Sequence, residues 1–457
     1  MMRRVKPPRA EYAFNGDVAI AYGVVGDGPV DLVYIQGFVS DVELMWDCPQ
    51  AMAFFERIAS WARLITIDRR GTGMSDRFSA DRLPPLEDAA ADVLAVMDAV
   101  DSQRASILGH HEGGQLGAML AATHPERVRT LSLVETAASW DTAMRNLDDD
   151  PLVGPSDALV EATRREFGTR RWEQDLFEQT APSHAGDGEL YRFLSRLQRH
   201  AASPDSAIGF LGLLFATDIG GILGSIEVPT QVLHRRDDVT LPIDEGRQLA
   251  AAIPGASFVE LSGGDWWPFL GDADELLTAV ETFVLGSGAS VARGAKAARA
   301  LATVLFTDIV GSTARGAELG DHAWRLLRER HDQIVRRALA DSGGHEVKTM
   351  GDGFLATFDG PARAVECTDR IAREIAELGI EIRAGLHTGE VTFEDDDVAG
   401  IAVAIGARIA AMAGPSEILV SRTVKDLTAG SHLRFEDADE HELKGVPDRW
   451  RLYRVVA

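Results

Sequence analysis

At 457 residues and 45% hydrophobic content, the chain exceeds the length over which one core keeps growing, so two domains with real interiors are expected. A formal charge of -25 argues against nucleic-acid phosphates or an anionic membrane as the main partner. The two cysteines, Cys48 and Cys367, fall in different halves, which argues against a disulfide framework and fits buried thiols in a reducing compartment.

The basic start MMRRVKPPRA has no apolar stretch behind it, so no signal peptide is expected. The most apolar segment, Ala207 to Leu214, is too short to span a bilayer. The expectation is a soluble cytoplasmic protein.

From about Tyr12 to Leu285 strand-like and helix-like segments alternate, as in an α/β domain. Val30 to Ile35 and Arg63 to Ile67 are expected strands, the second followed by DRRGTGMSD. Leu86 to Val100 carries Ala90, Val93, Leu94, Met97 and Val100 at helical spacing. A strand over Ala105 to Leu108 then turns sharply at GHHEGG into a helix from Gln115 to Thr123.

Strand, glycine-flanked turn and helix are the context of a nucleophile elbow, and here the sequence resembles the α/β-hydrolase fold. The resemblance extends to VLHRRDDVTLP at Val232 and to GGDWWPFLGD at Gly263. It puts the family's serine at His111, its acid at Asp238 and its histidine at Trp266, so two of the three triad roles are unfilled. The expectation is a degenerate hydrolase domain over 12–285. A helical lid is expected over about 139–225, carrying Trp140, Trp172, Phe177, Tyr191, Phe193 and Phe210. An unknown small ligand in the pocket under that lid is a candidate partner. The adjacent His110 and His111 lack the spacing that aims two imidazoles at one zinc, so packed or hydrogen-bonded histidines are expected.

Residues 286–299, GSGASVARGAKAAR, read as a linker. Beyond it LATVLFTDIVGST is a near-continuous apolar run, suited to a strand buried on both faces, ending in Asp308 and a Gly311-Ser312-Thr313 turn. Backbone N–H groups at the helix start after that turn suit phosphate. HEVKTMGDGFLATF reads as a β-hairpin with Asp352 at its tip. Two acids, at a strand end and a hairpin tip, outline a two-metal phosphoryl site if their strands are neighbours. The remaining pattern is a helix over Asp321 to Ala340 with Trp324, Leu327, Ile334, Val335 and Leu339 on one face, then helix 361–378, strand 381–386, helix 401–412 and strand 417–420.

FTDIVGST, KTMGDGF, DVAGIAVAIGAR and LKGV, in that order over the C-terminal 300–457, resemble the four signature segments of class III nucleotidyl cyclases. The resemblance implies an α+β, ferredoxin-like domain that converts ATP to 3′,5′-cyclic AMP and pyrophosphate. It puts two Mg²⁺ or Mn²⁺ on Asp308, Asp352 and Ile309, and nucleotide phosphate on Gly311, Ser312 and Thr313. Lys348 and Asp397 take the positions that read adenine, while Arg408 and Lys444 take the cationic phosphate positions. The family's ribose-orienting asparagine is Ala404, and an arginine that some members place after HTG is Glu390; both losses should slow turnover. Because the family splits these residues between two subunits, a homodimer through the cyclase domain is implied. Two alternatives stay open: a cyclase-like binding module without turnover, and an atypical esterase using His111 and Asp238.

Overall fold

The computed structural model describes residues 6–78, 83–145, 156–287, 299–394 and 397–456. They fall into two units that divide between Arg293 and Gly294. Of the expected linker, residues 288–298 lie outside the described residues. No helix among the described residues is long and apolar enough to cross a membrane.

The first unit is built on β1 (Glu11–Asn15), β2 (Val18–Val25), β3 (Asp31–Ile35), β4 (Arg63–Ile67), β5 (Ala105–His110), β6 (Val128–Val134), β7 (Thr230–Arg235) and β8 (Ser257–Leu261). Their order in the sheet is β1-β2-β4-β3-β5-β6-β7-β8, and every neighbouring pair from β4 to β8 is parallel. β5 and β7 are buried along their whole length, as strands covered by helices on both faces must be. Between β4 and β5 the strand order reverses at β3, so a crevice opens beyond the carboxyl ends of β3 and β5. Between β6 and β7 the helices Trp140–Arg145, Ser156–Glu166, Arg170–Thr180, Gly188–Ala201 and Pro204–Ala216 form the lid. Leu190, Leu194, Leu197 and Ala201 bury one stripe of the helix Gly188–Ala201. The unit is the α/β-hydrolase fold with a helical lid, as expected.

One boundary moves. The helix expected from Gln115 begins at Glu112, directly at the end of β5. Glu-Gly-Gly is a poor helix start by propensity, but Gly113 lies so close to β3 that a β-carbon there would stand 2.1 Å from the Ile35 carbonyl oxygen.

The second unit carries β9 (Arg299–Ile309), β10 (His345–Met350), β11 (Gly353–Phe358), β12 (Ile382–Glu394), β13 (Asp397–Ala399), β14 (Ile418–Ser421), β15 (Arg434–Glu442) and β16 (Arg449–Val456). The sheet runs β10-β11-β9-β12-β14-β16-β15, with β13 paired to β12, and only the β12–β14 pair is parallel among the described strands. Leu305 of β9 packs with Val335, Leu339 and Ile371 from the helices Asp321–Asp341 and Pro361–Ala376. Its neighbours Val304 and Phe306 face Ala402 and Ala410 of the helix Ile401–Met412 instead. Burial on both faces is the physical reason for the unbroken apolar run. Trp324, Leu327 and Ile334 pack against the Leu305 cluster, so the expected helix face holds.

The turn after β9 leads first into a separate short helix, Ser312–Leu319, which Gly320 breaks with a left-handed φ of 76°. β12 runs well past the expected 386, and β13, β15, β16 and the helix Arg422–Leu427 were not anticipated. The expected ferredoxin-like α+β domain is otherwise present.

Candidate functional site

Register decides where the two candidate metal carboxylates go. β11 pairs antiparallel with β9, Phe354 opposite Thr307, which lays the hairpin tip beside the end of β9. A β-carbon on Gly353 would stand 2.2 Å from the Thr307 carbonyl oxygen, so only glycine lets the tip close this far. Asp308 and Asp352 are thus brought to one edge. Asp352 Oδ2 is buried with no hydrogen-bond partner, an orphaned acceptor of the kind a cation satisfies. Asp308 is held by Arg383 of β12, directly opposite in register, whose Nε and Nη2 donate to Oδ2 at 3.0 and 2.5 Å. Nη2 of Arg328 donates to the Gly351 carbonyl at 2.9 Å and steadies the tip. Nearby, His331 Nε2 is also buried without a partner, and burial lowers its pKa. Neither Arg383, Arg328 nor His331 was singled out from sequence. Arg383 carried a weak signal, a cation within the apolar start of β12, but its partner depends on a register the sequence does not print.

Gly311 takes φ of 64° and starts the helix Ser312–Leu319 just beyond Asp308, with Ser312 half-buried and Thr313 exposed. Ile309 is buried against the Leu305 cluster, leaving its backbone as its polar contribution.

Lys348 of β10 and Asp397 of β13 also come together, Nζ donating to Oδ1 at 2.7 Å and to Oδ2 at 2.6 Å. Residues 395–396 of the acidic run lie outside the described residues. Bonding to Lys348 and to the Val398 N–H keeps the Asp397 carboxyl below its usual pKa. A third pair forms where Leu443, buried against Ile405 and Ile409, pins its loop to the helix Ile401–Met412. There Arg408 Nε donates to the Lys444 carbonyl oxygen at 3.0 Å. Ala404 is exposed one turn before Arg408 on that helix, and Glu390 accepts from Arg299 at 3.3 Å.

In the first unit the elbow geometry survives the loss of its serine. His111 holds φ of 59° and ψ of -124°, a strained conformation for a side chain with a β-carbon. Its Nδ1 lies 2.7 Å from Glu112 Oε2, and its ring centroid lies 3.9 Å from Trp140, tilted against it, and 5.0 Å from Trp266, edge to face. Glu112 Oε1 accepts from the Phe38 N–H at 3.3 Å, in the β3 loop where an acyl-transfer enzyme of this fold aims a donor at the oxyanion. A β-carbon on Gly37 would stand 2.5 Å from Glu112 Oε2, so glycine makes room for that carboxylate. Burial alone would raise the Glu112 pKa, but the charge and hydrogen bond of His111 outweigh it and bring it to about 2. His110 Nε2 lies 3.0 Å from the Trp266 carbonyl oxygen, so both histidines are packed and hydrogen-bonded, as expected.

Asp238 is buried. Oδ1 accepts from Thr240 N and Oγ1 and from Leu241 N, while Oδ2 has no partner and lies 4.0 Å from His234 Nε2. Burial, reinforced by the charge of Glu135, raises its pKa to about 7. His111, Trp266 and Asp238 therefore form no hydrogen-bonded relay among the described residues.

Residues 32–273 match the alpha/beta hydrolase fold family, and residues 296–456 match the adenylate and guanylate cyclase catalytic domain. RutD of Caulobacter segnis, named as a carbamate hydrolase, is 29% identical over 47% of this chain and 77% of its own length. A protein of Rhizobium meliloti named as adenylate cyclase 3 is 28% identical over 32% of this chain but only 27% of its own length. The enol-lactonase of Burkholderia xenovorans shares the fold at a TM-score of 0.51 and 24% identity, covering 60% of this chain and 100% of its own. The chain belongs to the alpha/beta hydrolase fold family through more than half of its length, and joins to that domain a class III adenylate and guanylate cyclase catalytic domain.

Proposed function

We propose that the protein is an adenylyl cyclase, making 3′,5′-cyclic AMP and pyrophosphate from ATP at a site completed by two copies of the chain. One observation carries this reading: the Lys348 ammonium and the Asp397 carboxylate are side by side, a donor and an acceptor spaced for one purine edge. Adenine offers a ring nitrogen that accepts and an amino group that donates, whereas guanine presents the reverse pattern. Asp308 stands opposite Arg383 at one end of β12, and Asp397 opposite Glu394 at the other, which supports a site shared between two chains.

Lys348 donates to the ring nitrogen and Asp397 accepts from the amino group, fixing the base. Arg408 and Lys444 hold the triphosphate and meet charge that develops on the α-phosphoryl oxygens, where a guanidinium fork suits them. Backbone N–H groups of Ser312 and Thr313 take a further phosphate. Asp308, Asp352 and the Ile309 backbone would hold two Mg²⁺ or Mn²⁺, which supply charge stabilisation to the attacking and leaving oxygens. The orphaned Asp352 oxygen fits that role.

The hydrolase-fold half is read as an accessory domain without acyl-transfer chemistry. His111 stands where the serine nucleophile would be and Trp266 where the histidine base would be, and the Glu112 carboxylate takes the Phe38 N–H. The test is cyclic AMP formation by purified protein with ATP and Mn²⁺, beside Asp308→Ala and with GTP in parallel. Product from ATP that vanishes in the variant supports the reading; product from GTP alone, or hydrolysis of a short aryl ester that Asp238→Ala abolishes, contradicts it.

A further inference from the structure

Beneath the lid of the first unit a small cavity, about 30 Å³, lies between the carboxyl end of β4 and the lid helix Pro204–Ala216. Its walls are mostly apolar, Val93, Leu116, Phe210, Leu213 and Leu214 among them. Three of the four charged side chains that reach it are engaged. Arg70 closes a fork on Asp92 at 2.8 and 2.6 Å, and Glu112 bonds His111 and the Phe38 N–H.

Arg69 is the exception. Its Nε and Nη1 are closed off from solvent and meet no acceptor among the described residues. The Glu112 and Asp92 carboxylates and the Phe210 ring, 5.5 Å from Cζ, partly offset its charge, but none of them accepts either N–H. A guanidinium whose buried donors go unmet is costly, and the cost is removed by an anion that accepts from it. In the DRRGTGMSD segment the second arginine serves the fold through Asp92, so Arg69 is left for a separate purpose.

We propose that this cavity binds a small monocarboxylate, its carboxylate against the Arg69 guanidinium and its short apolar chain along Leu116, Leu213 and Leu214. The size admits only a short chain. The apolar walls favour an alkyl or small aryl tail over a polyhydroxylated one. Glu112 and Asp92 in the wall repel a second negative charge, which selects a monoanion over phosphate. The inference deepens the reading of this half as an accessory ligand-binding domain. It rests on none of the cyclase assignments, so its failure and theirs are separable.

The experiment is isothermal calorimetry on the full chain with acetate, butyrate and hexanoate, and with inorganic phosphate and butanol as controls. The expected result is saturable one-to-one binding of at least one monocarboxylate, none of butanol, and at least tenfold weaker binding in Arg69→Met. Leu213→Trp fills the tail space without touching the charge and is expected to lose the longer acids first, so it decides the matter should Arg69→Met fail to fold. The proposal is overturned by an absence of saturable monocarboxylate binding, by unchanged binding in either folded variant, or by tighter binding of phosphate than of every acid.

Discussion

The Lys348 ammonium bridges both oxygens of the Asp397 carboxylate, at 2.7 and 2.6 Å, although one residue stands on β10 at the edge of the sheet and the other on β13 beyond β12. Both side chains are about half exposed, 44% and 51%, so the ion pair itself contributes little to stability. On the proposed reading its value lies in what it presents to the base. Lys348→Ala and Asp397→Ala should each leave thermal unfolding unchanged, yet lower kcat/KM for ATP roughly 10- to 100-fold, the worth of a hydrogen bond to a charged group. Steady-state kinetics with ATP and GTP check this, and the ATP preference should shrink in both variants. An unchanged preference would remove these residues from base reading.

Arg383 holds the Asp308 carboxylate, and on the proposed reading a divalent cation would have to compete with it. The pair is over a third exposed on both sides, so Arg383→Ala costs the fold no more than about 1 kcal/mol. Freed of its partner, Asp308 should take a divalent cation more readily, and the Mn²⁺ concentration for half-maximal activity should fall severalfold. A titration that gives the wild-type midpoint would show that Arg383 does not oppose the ion.

Ala404 points outward one turn before Arg408, where an asparagine side chain would reach the same solvent face. Ala404→Asn should cost about 0.5 kcal/mol of helix propensity and raise kcat by an order of magnitude or so through better placement of the ribose. The readout is kcat with KM for ATP nearly constant. A fall in kcat would mean the chain orients the ribose by other means.

Asp238 gives the first unit a pH signature. Its folded pKa, about 7, lies above the unfolded value near 3.8, so folding favours the protonated acid. That stability is fully present below about pH 4 and is lost as pH rises through 7. Asp68, also buried and raised to about 7, acts in the same direction. Asp238→Asn should lose less stability than the wild type as pH rises from 4 to 7, the remaining loss being that of Asp68, and chemical denaturation at several pH values would show it. Parallel curves for the two proteins would contradict the assignment.

Asp308 and Asp352 were legible from local pattern, whereas Lys348, Asp397, Arg408 and Lys444 were carried by the resemblance to the cyclase signature segments. The apolar run of β9 ends in Asp308, and the glycines about Asp352 fix a tight tip. Leu443 and Val446 anchor the Lys444 loop through ordinary apolar contacts. What stayed hidden depends on register or on charge-rich strands. Arg383 meets Asp308 only because β12 pairs with β9 in one particular alignment. β15, RFEDADEHE, is an edge strand with no fully buried residue, so no hydrophobic alternation announces it. Glu112 stands in the GHHEGG turn, and nothing local says that Gly37 and the Phe38 N–H await it across the crevice.

The most direct test of a site shared between two chains is complementation. Asp308→Ala and Arg408→Ala proteins should each be inactive alone with ATP and Mn²⁺. Mixed in equal amounts, they should recover about a quarter of wild-type cyclic AMP formation, since half the dimers then carry one intact site of two. Recovery on mixing is the result this account predicts. Persistent inactivity of the mixture, with dimers demonstrated by sedimentation, would show that one chain supplies every residue of its own site.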